Sequence, residues 1–237
     1  MNVKSFLLIL LYFTLIKCSN VKEEDTSKRV IYKDISGRSF PEIERETPQS
    51  MFYKEYMSWV ENNKPFLSSE KTIEGLVFAA LYKPTDYCIL QEMDSMTYNV
   101  FKETGKNYEG MQYFVFTIGL KDGKGDLLKS GLQNENMEFD KLVEYMAFAM
   151  QNDITLIDGN TELPCELYHF ERDFGLRPFC NFYIGFRKQL HSDSTSKTIV
   201  YKDKLFNSGI VKINIPAERI MAIPKLEINN NEKILLQ

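Results

Sequence analysis

One segment of the chain concentrates side chains that could bind a ligand. Residues 165–186 read CELYHFERDFGLRPFCNFYIGF and combine aromatic rings with charges of both signs. The candidate binding residues are Tyr168, His169, Glu171, Arg172 and Arg177. Guanidinium groups bind carboxylates through paired hydrogen bonds, and aromatic faces offer a surface on which a glycan can stack. The alternative, which stays open, is a core hairpin that buries its phenylalanines and leaves its charges in solvent.

The carboxylates of the same segment support a second hypothesis, acid–base catalysis on a glycan or peptidoglycan. Glu166, Glu171 and Asp173 lie within eight residues of one another. Glycosidases need two carboxyl groups about 5 or about 6.5–9.5 Å apart across a cleft. Because the sequence does not fix these distances, no catalytic residue is assigned. An exported enzyme remains the alternative to a binding protein.

The sequence contains no motif of the other common catalytic and cofactor-binding sites. The chain has no G-x-S-x-G, no G-x-G-x-x-G and no P-loop, and residues 119–125 (GLKDGKG) are typical of a hairpin turn. Cys165 and His169 are four residues apart, which is about 13 Å along a strand and too far to share a metal ion or to form a nucleophile pair. We therefore expect no cofactor and no metal site.

The N-terminus has the pattern of an export signal. Residues 1–18 read MNVKSFLLILLYFTLIKC, with Lys4 ahead of an apolar run from Phe6 to Ile16. This run is shorter than the roughly 20 residues that span a bilayer, but it has the length of the apolar region of a signal peptide. We predict a signal peptide over residues 1–18 and export of the chain.

The end of that segment resembles the lipobox of bacterial lipoproteins. Leu15 lies three residues before Cys18, and a polar stretch with an acidic cluster, residues 19–25 (SNVKEED), follows. This arrangement is similar to exported lipoproteins of Bacteroidetes-type bacteria. The resemblance implies that Cys18 is diacylated, becomes the new N-terminus and anchors the protein in the envelope, facing the cell surface. Lys17 stands where the lipobox has a small residue, so the alternative is cleavage after Cys18 or Ser19 and release of a soluble secreted protein.

The charge of the chain restricts its partners. Removal of residues 1–17 leaves 27 basic and 33 acidic residues, a net charge of −6. An acidic protein is poorly suited to nucleic acid and to anionic lipid head groups. We therefore expect no nucleic-acid partner, and we expect any membrane association to come from the lipid anchor. Another envelope protein is the partner that this placement favours.

The remaining cysteines do not suggest a disulfide scaffold. Cys88, Cys165 and Cys180 are three in number, which is too few for a small protein held together by disulfides. Free cysteine usually behaves as a small buried apolar residue. We expect all three to be buried thiols.

The periodicity of the sequence predicts an α+β fold. Residues 19–46 are a polar tether, and residues 47–237 form a single domain with a mostly antiparallel mixed sheet and two or three packed helices. Helices are predicted from Thr47 to about Val60, over 95–104, over 138–151 and after Pro216. Strands are predicted over 75–82, 87–91, 111–118, 154–157, 162–170, 179–186, 198–206 and 210–215, with Asp158-Gly159 as a hairpin turn. The sequence as a whole predicts a cell-envelope lipoprotein with a binding or scaffolding role.

Overall fold

The computed structural model describes residues 50–93, 97–131, 138–171 and 177–228. All of them belong to one compact unit, Ile31–Gln237. The predicted signal peptide, the whole of the predicted tether, Cys18, Thr47 and Arg172 lie outside the described residues.

Strands and helices alternate through the first half of the described chain, and strands dominate the second half. The strands are β1 (Ser50–Phe52), β2 (Ser68–Ile73), β3 (Leu76–Lys83), β4 (Met111–Leu120), β5 (Ile154–Asp158), β6 (Thr161–Pro164), β7 (Leu167–Glu171), β8 (Phe179–Arg187), β9 (Lys197–Lys202), β10 (Ile210–Ile215) and β11 (Lys225–Glu227). The α-helices are α1 (Tyr53–Asn62), α2 (Thr85–Glu92), α3 (Tyr98–Gly105), α4 (Leu127–Gly131), α5 (Phe139–Glu144) and α6 (Ala217–Met221). Helix α5 continues as a π-helical turn over Tyr145–Ala149 and a 3-10 turn over Met150–Asp153, and further 3-10 turns cover Lys106–Tyr108 and Ser192–Ser194.

The strands form two antiparallel sheets and one short parallel pair. The five-stranded sheet has the order β2-β3-β4-β8-β7, and the four-stranded sheet has the order β10-β9-β5-β6. Strands β1 and β11, from opposite ends of the described chain, pair in parallel. The predicted fold class, α+β with mostly antiparallel strands, is therefore confirmed, although the strands divide into separate sheets.

The main core lies between the two large sheets. The ring of Tyr201 on β9 lies 6.3 Å from that of Phe78 on β3 and 5.5 Å from that of Phe116 on β4, measured between centroids. The helical segment that begins with α5 adds buried side chains to the same core, among them Leu142 and Met146. Apolar burial of this kind is the largest favourable term in folding.

A second apolar cluster covers part of the opposite face of the five-stranded sheet. Helices α1 and α2 supply most of its buried residues, including Tyr56, Val60 and Tyr87, and Leu81 of β3 packs against them. This cluster leaves the face of β4, β8 and β7 partly open. We call the sheet surface directed away from the main core the outer face; it carries Leu81, Lys83, Tyr113, Val115, Thr117, Leu167, His169, Glu171, Asn181 and Tyr183.

The prediction of a strand over residues 87–91 is wrong, because this segment lies within helix α2. Its apolar run, Tyr87 to Leu90, is buried throughout, since the helix packs between the sheet and its helical neighbours. A short apolar run that is buried on all sides has the same appearance in a strand and in a helix. Pro84, which fits the position before a first helical turn, is the residue that marks the start of α2.

The predicted strand over residues 162–170 is two strands in different sheets. Strand β6 pairs with β5 in the four-stranded sheet, and β7 pairs with β8 in the five-stranded sheet. The chain crosses from one sheet to the other at Cys165 and Glu166. The preceding hairpin turn also falls one residue later than predicted, because Asp158 is the last residue of β5 and Gly159, at φ 60°, begins the turn.

The cysteine prediction is confirmed. Cys88, Cys165 and Cys180 are all buried thiols. Burial raises the pKa of the Cys88 thiol to about 11 and that of Cys165 to about 12. Both side chains are therefore protonated at neutral pH and serve as packing groups.

Candidate functional site

The register of the five-stranded sheet builds the floor of a groove on the outer face. Across β3, β4, β8 and β7, the ladder places Lys83, Tyr113, Gly185 and Leu167 side by side. A Cβ atom at Gly185 would lie only 3.0 Å from the Cβ of Leu167. The glycine thus lets Leu167 lie against β8. Because Gly185 has no side chain, nothing projects from the outer face at this position between β4 and the edge strand β7.

The next row of the ladder supplies exposed rings. Tyr183 on β8 is paired with His169 on β7, and their ring centroids are 6.1 Å apart. The exposed fraction is 40% for Tyr183 and 47% for Leu167, which is high for side chains of this size. Together these residues form an apolar and aromatic ledge at the open side of the sheet.

Helix α2 and the 3-10 turn after α3 form the opposite wall. Cys88, Gln91 and Glu92 of α2 and Tyr108 of the turn face the sheet residues across the groove. The volume enclosed is about 460 Å³, within the range of small-ligand sites. A smaller hollow of about 190 Å³ lies beside it, and Lys83, Gln91 and Tyr183 line both hollows.

A chain of hydrogen bonds fixes the side chains at the junction of the two hollows. The ammonium group of Lys83 donates to Oε1 of Gln91 at 2.9 Å, and Nε2 of Gln91 lies 2.7 Å from the hydroxyl of Tyr87, to which it donates. The Tyr87 hydroxyl in turn donates to Glu61. The Lys83 nitrogen also lies 5.6 Å from the Tyr87 ring centroid and 5.9 Å from that of Tyr183. Lys83 is therefore held in place by an amide and two aromatic faces.

The far end of the groove is organised by two tyrosines. The ring of Tyr108 packs edge-on against Tyr113, with centroids 5.2 Å apart, and the Tyr108 hydroxyl donates to Glu92. Burial, with smaller contributions from Cys88 and Glu92, raises the pKa of Tyr113 to about 12. The Tyr113 phenol is thus neutral over the physiological pH range.

Two of the predicted binding residues line this groove, and they do so from different sides of β7. His169 lies on the outer face and is exposed. Tyr168 points towards the main core, where its ring stacks on Phe182 at 6.0 Å and its hydroxyl donates to the carbonyl of Met146. Burial raises the pKa of Tyr168 above its ordinary value. Tyr168 is therefore a supporting residue behind the groove.

Glu171 and Arg177 form an ion pair. Their charged groups are 3.8 Å apart, and Glu171 also accepts a hydrogen bond from Nδ2 of Asn181 at 2.9 Å. The Arg177 guanidinium lies 5.6 Å from the ring centroid of Phe179. Arg172 lies outside the described residues. The four described members of the predicted five-residue site are thus dispersed, with His169 alone exposed in the groove.

Lys83, Tyr113 and Tyr183 line the groove but are not among the binding residues predicted from the sequence. The strict alternation in residues 111–118 and 179–186 could have placed both tyrosines on the face opposite the buried phenylalanines. Lys83 and the α2 wall could not have been found in this way, because α2 itself was predicted to be a strand.

Two of the three carboxylates considered for catalysis, Glu166 and Glu171, are separated in the structure. Glu166 is bound by Arg187 through contacts of 2.8 and 3.3 Å, whereas Glu171 is bound by Asn181. Arg187 and Asn181 are six residues apart on β8, a distance of about 20 Å along a strand. Glu166 and Glu171 are therefore too far apart for a glycosidase pair, which needs at most about 9.5 Å. Asp173 lies outside the described residues.

A second cluster of charged side chains is closed to solvent. Asp158 and Lys197 form an ion pair at 2.5 Å with side-chain exposures of 1% and 0%. Burial alone would raise the pKa of Asp158, but hydrogen bonds from Lys197, Ser192, Thr195 and Gln112 hold it below its usual range. Because no solvent reaches this cluster, we assign it a structural role, fixing the connection between β8 and β9.

No family model matches the chain, and no curated protein or solved structure is significantly similar to it. Among the described residues, no helix has both the length and the apolar character needed to cross a membrane. Within the same part of the chain, no three His, Cys, Asp or Glu side chains are grouped so that they could hold a metal ion.

Proposed function

We propose that this protein is exported, is anchored in the cell envelope through a lipid on Cys18, and binds an envelope component in the groove of the outer face. The observation that carries the binding role is the groove itself: a space of about 460 Å³ that exposes Tyr183 and Leu167 beside fixed polar groups. Ligand sites typically combine an apolar, aromatic lining with a few positioned polar side chains.

The hydrogen bonds around the groove favour binding over a role as a passive spacer. Lys83, Gln91 and Glu92 each have a protein partner already, so their positions are set before a ligand arrives. Preorganised side chains lose less conformational entropy on binding, which leaves more of the contact energy for affinity. A surface used only to space the domain from the membrane would need neither exposed rings nor fixed polar groups.

The anchor rests on the sequence at the end of the predicted signal peptide. Leu15 and Cys18 have lipobox spacing, and the acidic stretch of residues 19–25 follows directly. A lipidated cysteine of this kind carries several acyl chains. Several chains give stable membrane association, whereas association through a single chain is marginal. A soluble secreted binding protein is the second candidate, and it differs only in the fate of Cys18.

The mass of the mature N-terminal peptide, isolated from the native host, tests the anchor. We expect a peptide that begins at Cys18 and carries the added mass of its acyl chains. An unmodified peptide that begins at Ser19 or Asn20 would instead show the secreted form. As a control, a Cys18→Ser variant should lose the acylated peptide and leave the membrane fraction.

Co-sedimentation with envelope material tests the binding role. The protein used is the full-length chain with Cys18→Ser, because acyl chains would insert into the sedimented membrane whatever the groove binds. We expect this protein to bind insoluble envelope from the native host, and we expect a further Tyr183→Ala substitution to weaken binding by about three- to tenfold because a stacked ring contributes about 0.5–1.5 kcal/mol. Ile210→Ala is the matched control, since Ile210 is 60% exposed on the other sheet. Equal binding by the Cys18→Ser protein with and without each further substitution would show that the groove does not carry the binding.

A further inference from the structure

From the lining of the groove we infer the chemical class of its occupant, a neutral saccharide chain. This inference rests on the proposed function, namely that the groove binds an envelope component. It is carried by three features of the described residues: the balance of charge in the groove, the arrangement of its rings, and its size and shape.

The formal charges that line the larger hollow cancel, and Lys64, which lines the smaller hollow, is paired with Glu61. Lys83 and Glu92 bear opposite charges, and each is already engaged, Lys83 with Gln91 and Glu92 with the Tyr108 hydroxyl. An ionic ligand would be attracted by one of these groups and repelled by the other, and it would also have to disrupt an existing hydrogen bond. A neutral ligand with hydroxyl groups can add donors and acceptors around both without displacing either.

The rings of the groove offer flat faces beside polar atoms. Tyr183 and His169 lie side by side with an interplanar angle of 38°, and they form a broad ledge on β8 and β7. Tyr108 and Tyr113 meet at 65° and form a corner at the opposite wall. A pyranose ring has an apolar face of C–H groups and a rim of hydroxyls. It can therefore pack on the ledge while its hydroxyls reach the phenol of Tyr113 and the amide of Gln91.

The shape of the site favours a chain of small rings over a folded protein. The larger hollow has a volume of about 460 Å³, within the range of small-ligand sites, and the smaller one of about 190 Å³ adjoins it at Lys83, Gln91 and Tyr183. A specific protein partner needs about 800 Å² of contact on each side, generally over a broad surface. The exposed apolar area at Tyr183 and Leu167 is instead limited to a few side chains and faces α2 across the groove, which suits a narrow ligand.

Periodate and protease treatment of the native envelope material distinguishes a saccharide from a protein occupant. Periodate cleaves vicinal diols and therefore destroys most sugar rings, whereas protease removes polypeptide. We expect the full-length Cys18→Ser protein, which has no acyl chains to insert into the membrane, to lose binding to periodate-treated envelope and to retain binding to protease-treated envelope. The opposite pattern would overturn the saccharide inference while leaving the binding role intact. Failure to bind untreated envelope would overturn the proposed function itself.

Titration with defined oligosaccharides is a second test of the saccharide inference. Isothermal titration of the full-length protein, in detergent, would use chitotetraose, cellotetraose and maltotetraose as neutral probes and tetragalacturonate as an anionic one. We expect saturable binding of at least one neutral probe, weakened about three- to tenfold by Tyr183→Ala and retained by Tyr183→Phe, which keeps the stacking ring. Ile210→Ala should behave like the wild type. Tighter binding of tetragalacturonate, or binding of none of the neutral probes, would contradict the inference.

Discussion

Replacement of Lys197 by methionine is expected to lower the free energy of unfolding by about 3–5 kcal/mol. The ammonium group of Lys197 is completely buried and pairs with Asp158, so its removal leaves a buried carboxylate without its cation. Ser192 and Thr195 would still donate to that carboxylate, but neutral donors cannot replace a charge. Since typical domains are stable by only about 5–15 kcal/mol, this loss would remove a large part of the total.

Urea unfolding at pH 7, followed by circular dichroism, measures the effect. The pKa of Asp158 is lowered in the folded protein, so the stabilisation by the ion pair is complete above the unfolded carboxyl pKa of about 3.9 and is lost as the pH falls through the folded value. Lys188→Met is the matched control, because Lys188 pairs with Asp193 at the surface and such pairs contribute at most about 1 kcal/mol. Similar losses in the two variants would show that the Asp158 cluster is not the structural element we describe.

Replacement of Phe182 by alanine is expected to cost about 3–5 kcal/mol. Phe182 is fully buried on the core face of β8, and its ring centroid lies 5.2 Å from that of Phe170 and 6.0 Å from that of Phe116. Truncation would remove these contacts and leave a cavity that close-packed neighbours fill only in part. Chemical denaturation measures this loss. If the slope of the free energy of unfolding against denaturant concentration is unchanged, the loss is one of stability.

Phe148→Ala provides the control for this prediction. Phe148 is 76% exposed, and the same substitution there should change stability by less than about 0.5 kcal/mol. If Phe182→Ala were equally mild, β8 would not lie at the centre of a packed core. Because Phe182 and Tyr183 point to opposite faces of β8, the two variants also separate the stability of the sheet from binding at its outer face.

The strands of the five-stranded sheet could largely be predicted from the sequence. Alternation places Phe114 and Phe116 on one face of β4 and Tyr113 and Val115 on the other, as the structure has them. Such alternation is a local property, since successive side chains of a strand point to opposite faces. The helices over 98–105 and from 139 onwards were likewise indicated by local spacing and by end residues.

Features that depend on distant parts of the chain could not be predicted in this way. The parallel pairing of Ser50–Phe52 with Lys225–Glu227 joins segments more than 170 residues apart, and neither strand is long enough to show a pattern. Asp158 was predicted to be a turn residue because Asp-Gly favours hairpin turns. Its ion pair with Lys197 depends on the pairing of β5 with β9, which the sequence alone does not specify.

The candidate site also combines a local feature, which the sequence indicates, with contacts between distant parts of the chain. His169 was identified because its segment is visibly rich in aromatic and charged residues. The opposite wall of the groove comes from α2 and the turn at Tyr108, which are separated from His169 by 60 or more residues and meet it only in the folded chain. Composition within one segment therefore located one side of the groove, and only the three-dimensional structure supplied the other.

Nuclear magnetic resonance of tyrosine rings, with carbon-13 labelling, tests the binding role of the groove most directly. Solubilised envelope fragments from the native host would be titrated into the labelled full-length protein. We predict that the ring signals of Tyr113 and Tyr183 shift with saturation, whereas those of Tyr201, buried in the main core, stay in place. Binding that shifts other tyrosines and leaves Tyr113 and Tyr183 unchanged would contradict the assignment of the groove as the binding site.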